Sequence, residues 1–203
     1  MRPPLHVIAW PGPGRLATMA HPRGGERLAA EMAGLSAAGV DVVVSALTPG
    51  EERRLGLTGA AAAAAAAGIQ HLACPIPDRG VPGDAVALGV RLAAHVRAGR
   101  FVVAQCFAGV GRSTLLAGVT LVMLGVRPER ALHLVAEARG LPVPGTEAQR
   151  IWLYDFARAH GGFTGGNPVG HGVSAAPHGP PSRLALPACT HRSSSSTAST
   201  RWM

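Results

Sequence analysis

Residues 101–118 read FVVAQCFAGVGRSTLLAG, and this stretch decides the fold class. Its apolar, β-branched start predicts a buried strand, FVVAQ (101–105). A loop with two glycines follows, and an apolar helix is predicted from about Ser113 to Leu124. In α/β proteins, ligands bind at the carboxyl ends of such strands. Cys106 stands at that end, so it is the first candidate functional residue.

Strands and helices alternate over the first 160 residues, while 11–25, rich in proline and glycine, is expected to be a loop. We predict an α/β fold with a central, mostly parallel sheet of about four to five strands flanked by helices. Thr48 is a candidate cap for the short helix that contains Glu51 and Glu52, Thr146 opens the last helix, and Thr58 is a candidate cap for the alanine-rich helix. The other predicted strands are 5–10, 41–47 and 69–73. The other predicted helices are a short one that begins at Thr48 and the segments 25–38, 58–68, 84–98, 127–140 and 146–160.

Composition narrows the class of protein. Hydrophobic residues make up 47% of the 203 residues but aromatic ones only 4%, so Ala, Leu and Val must fill the core. All 19 basic residues are arginine, which with the abundant Ala and Gly indicates a GC-rich, bacterial genome. The net charge of +8 favours anionic partners. Nucleic acid is not expected, because no basic run and no aromatic stacking platform accompany the arginines.

The segments at the two ends bear on location and domain organisation. The apolar stretch at the start is too short for a signal peptide, and the longest apolar run, 115–126, is too short to cross a bilayer. We therefore expect a cytoplasmic protein without a membrane partner. Residues 1–160 are predicted to form the folded domain. Residues 161–203 are rich in Gly, Pro, Ser and Thr and are predicted to form a disordered tail.

The segment 106–113 combines groups that suit phosphate chemistry. Cys106 precedes a helix N-terminus, which favours the nucleophilic thiolate. Gly109 and Gly111 allow successive backbone N–H groups to face an anion. Arg112 offers a planar fork that matches two phosphate oxygens. The alternative is a buried structural cysteine beside a helix cap. The three cysteines are too scattered for a disulfide framework or a zinc site.

The octapeptide CFAGVGRS (106–113) matches the C-x5-R-S/T signature of the cysteine-dependent protein phosphatases. It resembles most the dual-specificity branch, including kinase-associated phosphatases, and the resemblance extends over about residues 10–158. It implies a protein tyrosine phosphatase-like fold and a phosphorylated protein as substrate. PIPDRGVP (75–82) resembles the general-acid loop of that family. This resemblance predicts a protein phosphatase domain over 1–160.

The resemblance also implies a role for each site residue. Cys106 would attack phosphorus and form a phosphocysteine. Asp78 would protonate the leaving oxygen and then deprotonate water. Ser113 would form a hydrogen bond with the cysteine sulfur. The alternatives are a turn residue for Asp78 and a helix cap for Ser113. No metal or cofactor is required. Phosphate binding is assigned to the loop residues Phe107, Ala108, Gly109, Val110, Gly111 and Arg112.

Two further positions bear on activity. The family usually has histidine before the cysteine, but this chain has Gln105. An uncharged glutamine gives the thiolate less support, so lower activity is expected. Gln149 stands where related tyrosine phosphatases carry a glutamine that orients water. The alternative is that Gln149 is an ordinary polar residue on the surface of the last helix, and this is the interpretation that we expect.

Other function classes fit less well. The segment 12–17 (GPGRLA) is a loose dinucleotide fingerprint, but its prolines and the lack of a following helix disfavour it. Rhodanese-like sulfur transfer uses a loop cysteine without needing Arg112 and Asp78. A phosphate-binding or phosphoprotein-binding module without turnover is the rival from a different class. The uncharged loop residues Phe107, Ala108 and Val110 favour phosphoprotein over phosphoinositide.

Overall fold

The computed structural model describes residues 4–161, which form a five-stranded sheet with helices on both faces. The strand order is β1-β2-β5-β3-β4. β1 runs antiparallel to β2, and the other neighbours are parallel. The predicted α/β fold is confirmed. The strands are β1 His6–Val7, β2 Arg15–Ala20, β3 Val42–Ser45, β4 Gln70–Ala73 and β5 Phe101–Cys106.

The helices divide between the two faces. α1 and α3 cover the face to which Phe101 and Val103 point, and α4, α5 and α6 cover the opposite face. α7 packs on α5. The predicted tail from 162 onward lies outside the described residues. The helices are α1 Leu28–Ala37, α2 Pro49–Arg54, α3 Ala60–Ala66, α4 Val86–Arg97, α5 Arg112–Met123, α6 Pro128–Arg139 and α7 Glu147–His160.

No helix within residues 4–161 is long and apolar enough to span a bilayer.

The prediction of a loop over 11–25 is wrong, because β2 lies within it. Prolines and glycines at both ends gave the segment the composition of a loop. The six residues RLATMA between them pair in parallel with β5, from Arg15 opposite Phe101 to Ala20 opposite Cys106. Four of the six are buried. This pairing joins positions more than 80 residues apart in the sequence, so local composition does not reveal it.

The predicted helix caps can also be checked. Thr48 caps α2 through a reciprocal pair of hydrogen bonds with Glu51. Thr146 accepts a hydrogen bond from Gln149 N at the start of α7. The prediction for Thr58 is wrong, because Gly59 occupies the capping position of α3 and no side chain caps it.

The four parallel strands all end at the same edge of the sheet. Ala20 pairs with Cys106, and Ser45 pairs with both Gln105 and Ala73. The loops after β2, β3, β4 and β5 therefore all leave from the same edge, which is where parallel sheets bind ligands. Side chains that are distant in the sequence meet there around Cys106.

Candidate active site

Cys106 forms the floor of the site. It is the last residue of β5, whose six residues are all buried, and it is itself 3% exposed. The backbone N–H of Gly109 donates to the sulfur over 3.2 Å. The Ser113 hydroxyl oxygen lies 3.4 Å from the sulfur. The structure thus surrounds the sulfur with groups that can donate hydrogen bonds to a thiolate.

The loop of residues 107–111 depends on glycine at position 109. Gly109 has φ 73°, in the left-handed region. A methyl group there would also lie 2.5 Å from the carbonyl carbon of Met19 in β2. Both backbone conformation and space therefore exclude a side chain. β2 packs directly against the loop. This strand, which the composition of residues 11–25 does not reveal, therefore also shapes the loop around the sulfur.

Arg112 is buried at the start of α5 and is held by a carboxylate. Its Nη1 and Nη2 each donate to a different oxygen of Glu51 over 2.8 Å. Nη1 also donates to the carbonyl of Ile76 over 2.9 Å. The paired guanidinium holds the pKa of Glu51 at about 2, below its ordinary value of 4.5, although burial opposes this. The same pair raises the pKa of Arg112.

Asp78 stands at the mouth of the site. It belongs to a turn in which Gly80 N–H donates to the Pro77 carbonyl over 2.8 Å. Its side chain is 77% exposed, and its Oδ1 lies 3.5 Å from Arg112 Nη2. The bond from Arg112 to Ile76 O anchors the chain two residues earlier. A carboxyl group so placed can meet a leaving group at the mouth.

A cavity of about 250 Å³ joins these groups. It contains the sulfur at its base, most of the 107–112 loop, and Asp78. Gly109 and Ser113 contact the sulfur but are not among the lining residues. The lining residues are Asp78, Arg79, Cys106, Phe107, Ala108, Val110, Gly111, Arg112, Gly145, Thr146 and Gln149.

The expectation that Gln149 lies on the surface of the last helix is wrong. Gln149 is 1% exposed and lines the cavity. Its Nε2 donates to the Gly80 carbonyl over 2.9 Å, while its Oε1 is buried without a hydrogen-bond partner among residues 4–161. The first turn of α7 points inward here, because its partly polar face packs against the two loops of the site.

Gln105 lies on the other side of the sheet from the sulfur. Neighbouring residues of a strand point to opposite faces. Cys106 packs with the core under α4–α6, whereas Val103, on the same face as Gln105, packs under α1 and α3. Gln105 is 1% exposed, and its Oε1 has no hydrogen-bond partner within the described residues. Any effect of Gln105 on the thiolate therefore does not pass through a direct contact.

The mouth is more basic than the loop sequence indicates. Arg79 lines the cavity, and Nη2 of Arg139 in α6 lies 3.4 Å from the carbonyl oxygen of Ala108. Burial lowers the pKa of Arg139, and the nearby Cys106 sulfur opposes this shift only in part. Phe107 is 46% exposed, with its ring 5.3 Å from that of His21. Positive charge and an aromatic surface therefore both border the opening.

A family model described as "Polymorphic toxin system, DSP-PTPase phosphatase" (Tc-R-P) matches residues 17–126, more than half of the chain. The chain belongs to this DSP-PTPase phosphatase family. The matched region contains residues 75–82, the 106–113 signature and Glu51. The predicted membership of the cysteine-dependent phosphatases, in the dual-specificity branch, is confirmed.

Solved structures agree on the fold of this DSP-PTPase phosphatase. A kinase associated phosphatase with its catalytic-site cysteine replaced by serine has a TM-score of 0.68 at 18% identity, covering 80% of this chain and 98% of its own. Tk-PTP in its active form gives 0.56 at 25%, covering 71% and 92%. PTPMT1 in complex with PI(5)P gives 0.58 at 23%, covering 71% and 90%. No curated protein sequence matches the chain.

Three residues of the DSP-PTPase phosphatase site were missed by sequence reasoning. Glu51 reads as a helix cap, because Thr48 stands three residues before it, and its second partner, Arg112, is 61 residues away. Arg79 reads as a turn residue. Arg139 reads as a favourable charge in the last turn of α6. Each had a local explanation, so no signal in the sequence pointed to the site.

Proposed function

We propose that the chain is a phosphoprotein phosphatase, of tyrosine or dual specificity, that hydrolyses phosphate monoesters through a phosphocysteine intermediate. The observation that carries this proposal is the meeting of Cys106, Arg112 and Asp78 around one cavity, from three different elements. The proposed substrate is a phosphorylated protein, in keeping with the expectation of a bacterial, cytoplasmic enzyme from the sequence.

In the first step, the Cys106 thiolate attacks phosphorus. The S–P bond forms while the bond from phosphorus to the substrate oxygen breaks, and the Asp78 carboxyl group passes its proton to that oxygen. The 3.2 Å bond from Gly109 N–H and the nearby Ser113 hydroxyl support the thiolate before attack. Because Asp78 is exposed at the mouth, it can reach the oxygen that leaves outward.

Arg112 is prepared for the transferring phosphoryl group. Both N–H bonds of Nη1 are occupied, one by Glu51 and one by Ile76 O, and Nη2 gives one to Glu51. This leaves Nε–H and the second N–H of Nη2, which form one edge of the guanidinium, with the exposed Asp78 Oδ1 3.5 Å from Nη2. That edge matches two phosphoryl oxygens, and Glu51 fixes it in place before the substrate arrives.

In the second step, water attacks the phosphocysteine. The Asp78 carboxylate takes a proton from the water, an O–P bond forms, and the S–P bond breaks to return the thiolate. The Ser113 hydroxyl can donate to the sulfur as its charge develops. Inorganic phosphate then leaves, and the chain is restored without a metal or cofactor.

The opening bears on the choice of substrate. Phe107 offers an exposed aromatic surface, which favours a phosphorylated side chain of a protein. Arg79 and Arg139 add positive charge that the loop sequence lacks, and one similar structure is a complex with PI(5)P. A phosphoinositide headgroup is therefore the competing substrate for the test.

The test measures hydrolysis of 4-nitrophenyl phosphate, phosphotyrosine and phosphothreonine peptides, and an inositol phosphate. We expect aryl phosphate and phosphopeptide turnover that vanadate inhibits and a chelator does not. Cys106→Ser should lose turnover by more than about 10³-fold while still binding a phosphate analogue, because a serine hydroxyl is far less ionised than a thiol. Retained hydrolysis in that variant excludes the mechanism. If the wild-type chain binds a phosphate analogue but hydrolyses none of these substrates, the phosphate-binding module is supported instead.

A further inference from the structure

Gln149 joins the two loops on which the proposed reaction depends. Its Nε2 donates to the Gly80 carbonyl over 2.9 Å. On its other side, a methyl group added at Gly111 would lie 2.9 Å from its Oε1. The side chain therefore fills the space between the proposed acid loop (75–82) and the phosphate-binding loop (107–111). Its own position is fixed, because its backbone N–H donates to the capping hydroxyl of Thr146 over 3.2 Å.

The acid loop has a turn that its own sequence disfavours. The turn runs from Pro77 to Gly80, and Arg79 is its third residue, with φ 57°. Turns that need a positive φ at the third position usually carry glycine or asparagine there, because a Cβ is strained in this conformation. Arg79 is the one residue other than glycine with positive φ among residues 4–161. The turn therefore needs contacts from elsewhere to hold it.

The two flanks of the turn are held unequally. On the near flank, Ile76 is fixed twice, since its N–H donates to Ala46 O over 3.1 Å and its carbonyl accepts from Arg112. On the far flank, the bond from Gln149 to Gly80 is the one hydrogen bond that ties residues 79–83 to another element, within the part of the chain that the structure describes. Asp78 lies between these flanks. Its position thus depends on the Gln149 hydrogen bond as well as on its own 3.5 Å contact with Arg112 Nη2.

We propose that Gln149 is a positioning residue that latches the acid loop, so that the Asp78 carboxyl group can protonate the leaving oxygen. This inference rests on the proposed function. Gln149 itself touches neither the leaving oxygen nor the proton. It acts by stabilising the strained turn around Arg79. This role lies in the first step, whereas the orientation of water would lie in the second.

The two roles predict different kinetics. The ratio kcat/KM reports the reaction only up to release of the first product, so it is insensitive to attack by water on the phosphocysteine. A latch acts through Asp78, so its loss matters most when the leaving oxygen needs a proton. We therefore compare kcat/KM for a phosphothreonine peptide, a poor leaving group, with that for 4-nitrophenyl phosphate, a good one.

The first variant is Gln149→Met, which keeps the length of the side chain and removes its donor. We expect kcat/KM for the phosphothreonine peptide to fall about 10-fold or more, with less than about a threefold change for 4-nitrophenyl phosphate. Gln149→Leu is the second variant. It also lacks a donor for Gly80 O and adds no charge to the cavity, so it should show the same pattern even where the methionine variant fails to fold.

Rescue at Arg79 separates a latch from a general packing role. Glycine adopts the left-handed conformation without strain. The double variant Gln149→Met/Arg79→Gly should therefore have a kcat/KM for the peptide at least about threefold higher than that of Gln149→Met alone. Arg79→Ala is the matched control, because it removes the same charge but keeps the Cβ. It should give no such recovery.

Each outcome decides the matter. Equal losses on both substrates, a fall in kcat with kcat/KM unchanged, or equal effects of Gly and Ala at position 79 would overturn the latch. Asp78→Asn is measured alongside. If that variant shows the leaving-group pattern and the Gln149 variants do not, only the latch is wrong. If the wild-type chain hydrolyses neither substrate, the proposed function fails, and the latch fails with it.

Discussion

Replacing Glu51 by glutamine tests how Arg112 is held. Glu51 is 8% exposed, and its two oxygens accept hydrogen bonds from Arg112 and from the Thr48 backbone and hydroxyl. Glutamine has the same shape, but one oxygen becomes an NH2 group that faces donors. Arg112 keeps its hydrogen bond to Ile76 O and loses the carboxylate that pairs with both of its Nη atoms. The substitution therefore leaves a buried cation whose remaining carboxylate neighbour, Asp78, is exposed and lies 3.5 Å from Nη2.

The pKa of Glu51 sets the magnitude. Hydrogen bonds from Arg112, and to a smaller extent from Thr48, lower it from 4.5 to about 2. At about 1.4 kcal/mol for each tenfold change in the ionisation constant, the ionised carboxylate contributes about 3 kcal/mol to the free energy of unfolding at neutral pH. Breaking a buried ion pair from one side costs about 3–5 kcal/mol. Because Arg112 keeps one backbone partner, we expect Glu51→Gln to lose about 2–3 kcal/mol.

The same shift gives the pH dependence a definite sign. The pKa is lower in the folded than in the unfolded chain, so the stabilisation is complete above about pH 4.5. It is lost as pH falls from there towards 2, where the folded carboxylate takes up its proton. Wild type and Glu51→Gln should therefore differ in unfolding free energy at pH 7, and this difference should narrow to about half or less at pH 3, on the way to convergence near pH 2.

The assay is urea unfolding at both pH values, with kcat/KM for 4-nitrophenyl phosphate at pH 7. A loosely held Arg112 should lower kcat/KM by about 10–100-fold. Glu52→Gln is the matched control, since it removes the same charge from the neighbouring residue. Burial raises the pKa of Glu52, so its ionisation does not stabilise the fold. If Glu51→Gln and Glu52→Gln have equal stability and activity, the role of Glu51 is refuted.

Three further predictions follow from the same geometry. Asp78→Asn should lower kcat/KM for a phosphothreonine peptide by about 10²–10⁴-fold and that for 4-nitrophenyl phosphate much less; equal losses would contradict the acid role. Gly109→Ala should cost more than about 2 kcal/mol in urea unfolding and abolish turnover, whereas Gly83→Ala, which meets open space, should do neither. A chain ending at Gly162, beyond the described residues, should keep wild-type activity; lost activity would refute the tail prediction.

The residues that can be found from sequence are those whose chemistry is local. Cys106, the glycines of the loop and Arg112 lie within eight consecutive positions, and a strand and a helix flank them. Spacing alone therefore places the sulfur and the guanidinium at one site. Asp78 was found through its loop, since PIPDRGVP resembles a known one. The α/β alternation followed from apolar runs in the same way.

The residues that were missed act across long separations. β2 is recognised by its pairing with β5, and Glu51 by its bond to Arg112, not by neighbours in the chain. Gln149 was expected on the surface because polar residues of helices usually are. It is buried because two loops from other parts of the chain meet its side chain. Local sequence patterns do not indicate such contacts between distant parts of the chain.

The parallel sheet explains why these distant residues converge on one small site. Its strands end at one edge, so the segments after β3, β4 and β5 supply Glu51, Asp78 and Arg112 to the same place. Arg112 donates hydrogen bonds to the segment after β3, through Glu51, and to the segment after β4, through Ile76 O. A change in the α2 segment can therefore reach the acid loop through one guanidinium. For this reason, the Glu51 substitution should alter the leaving-group dependence of kcat/KM as well as its size, although Glu51 lies outside the cavity lining.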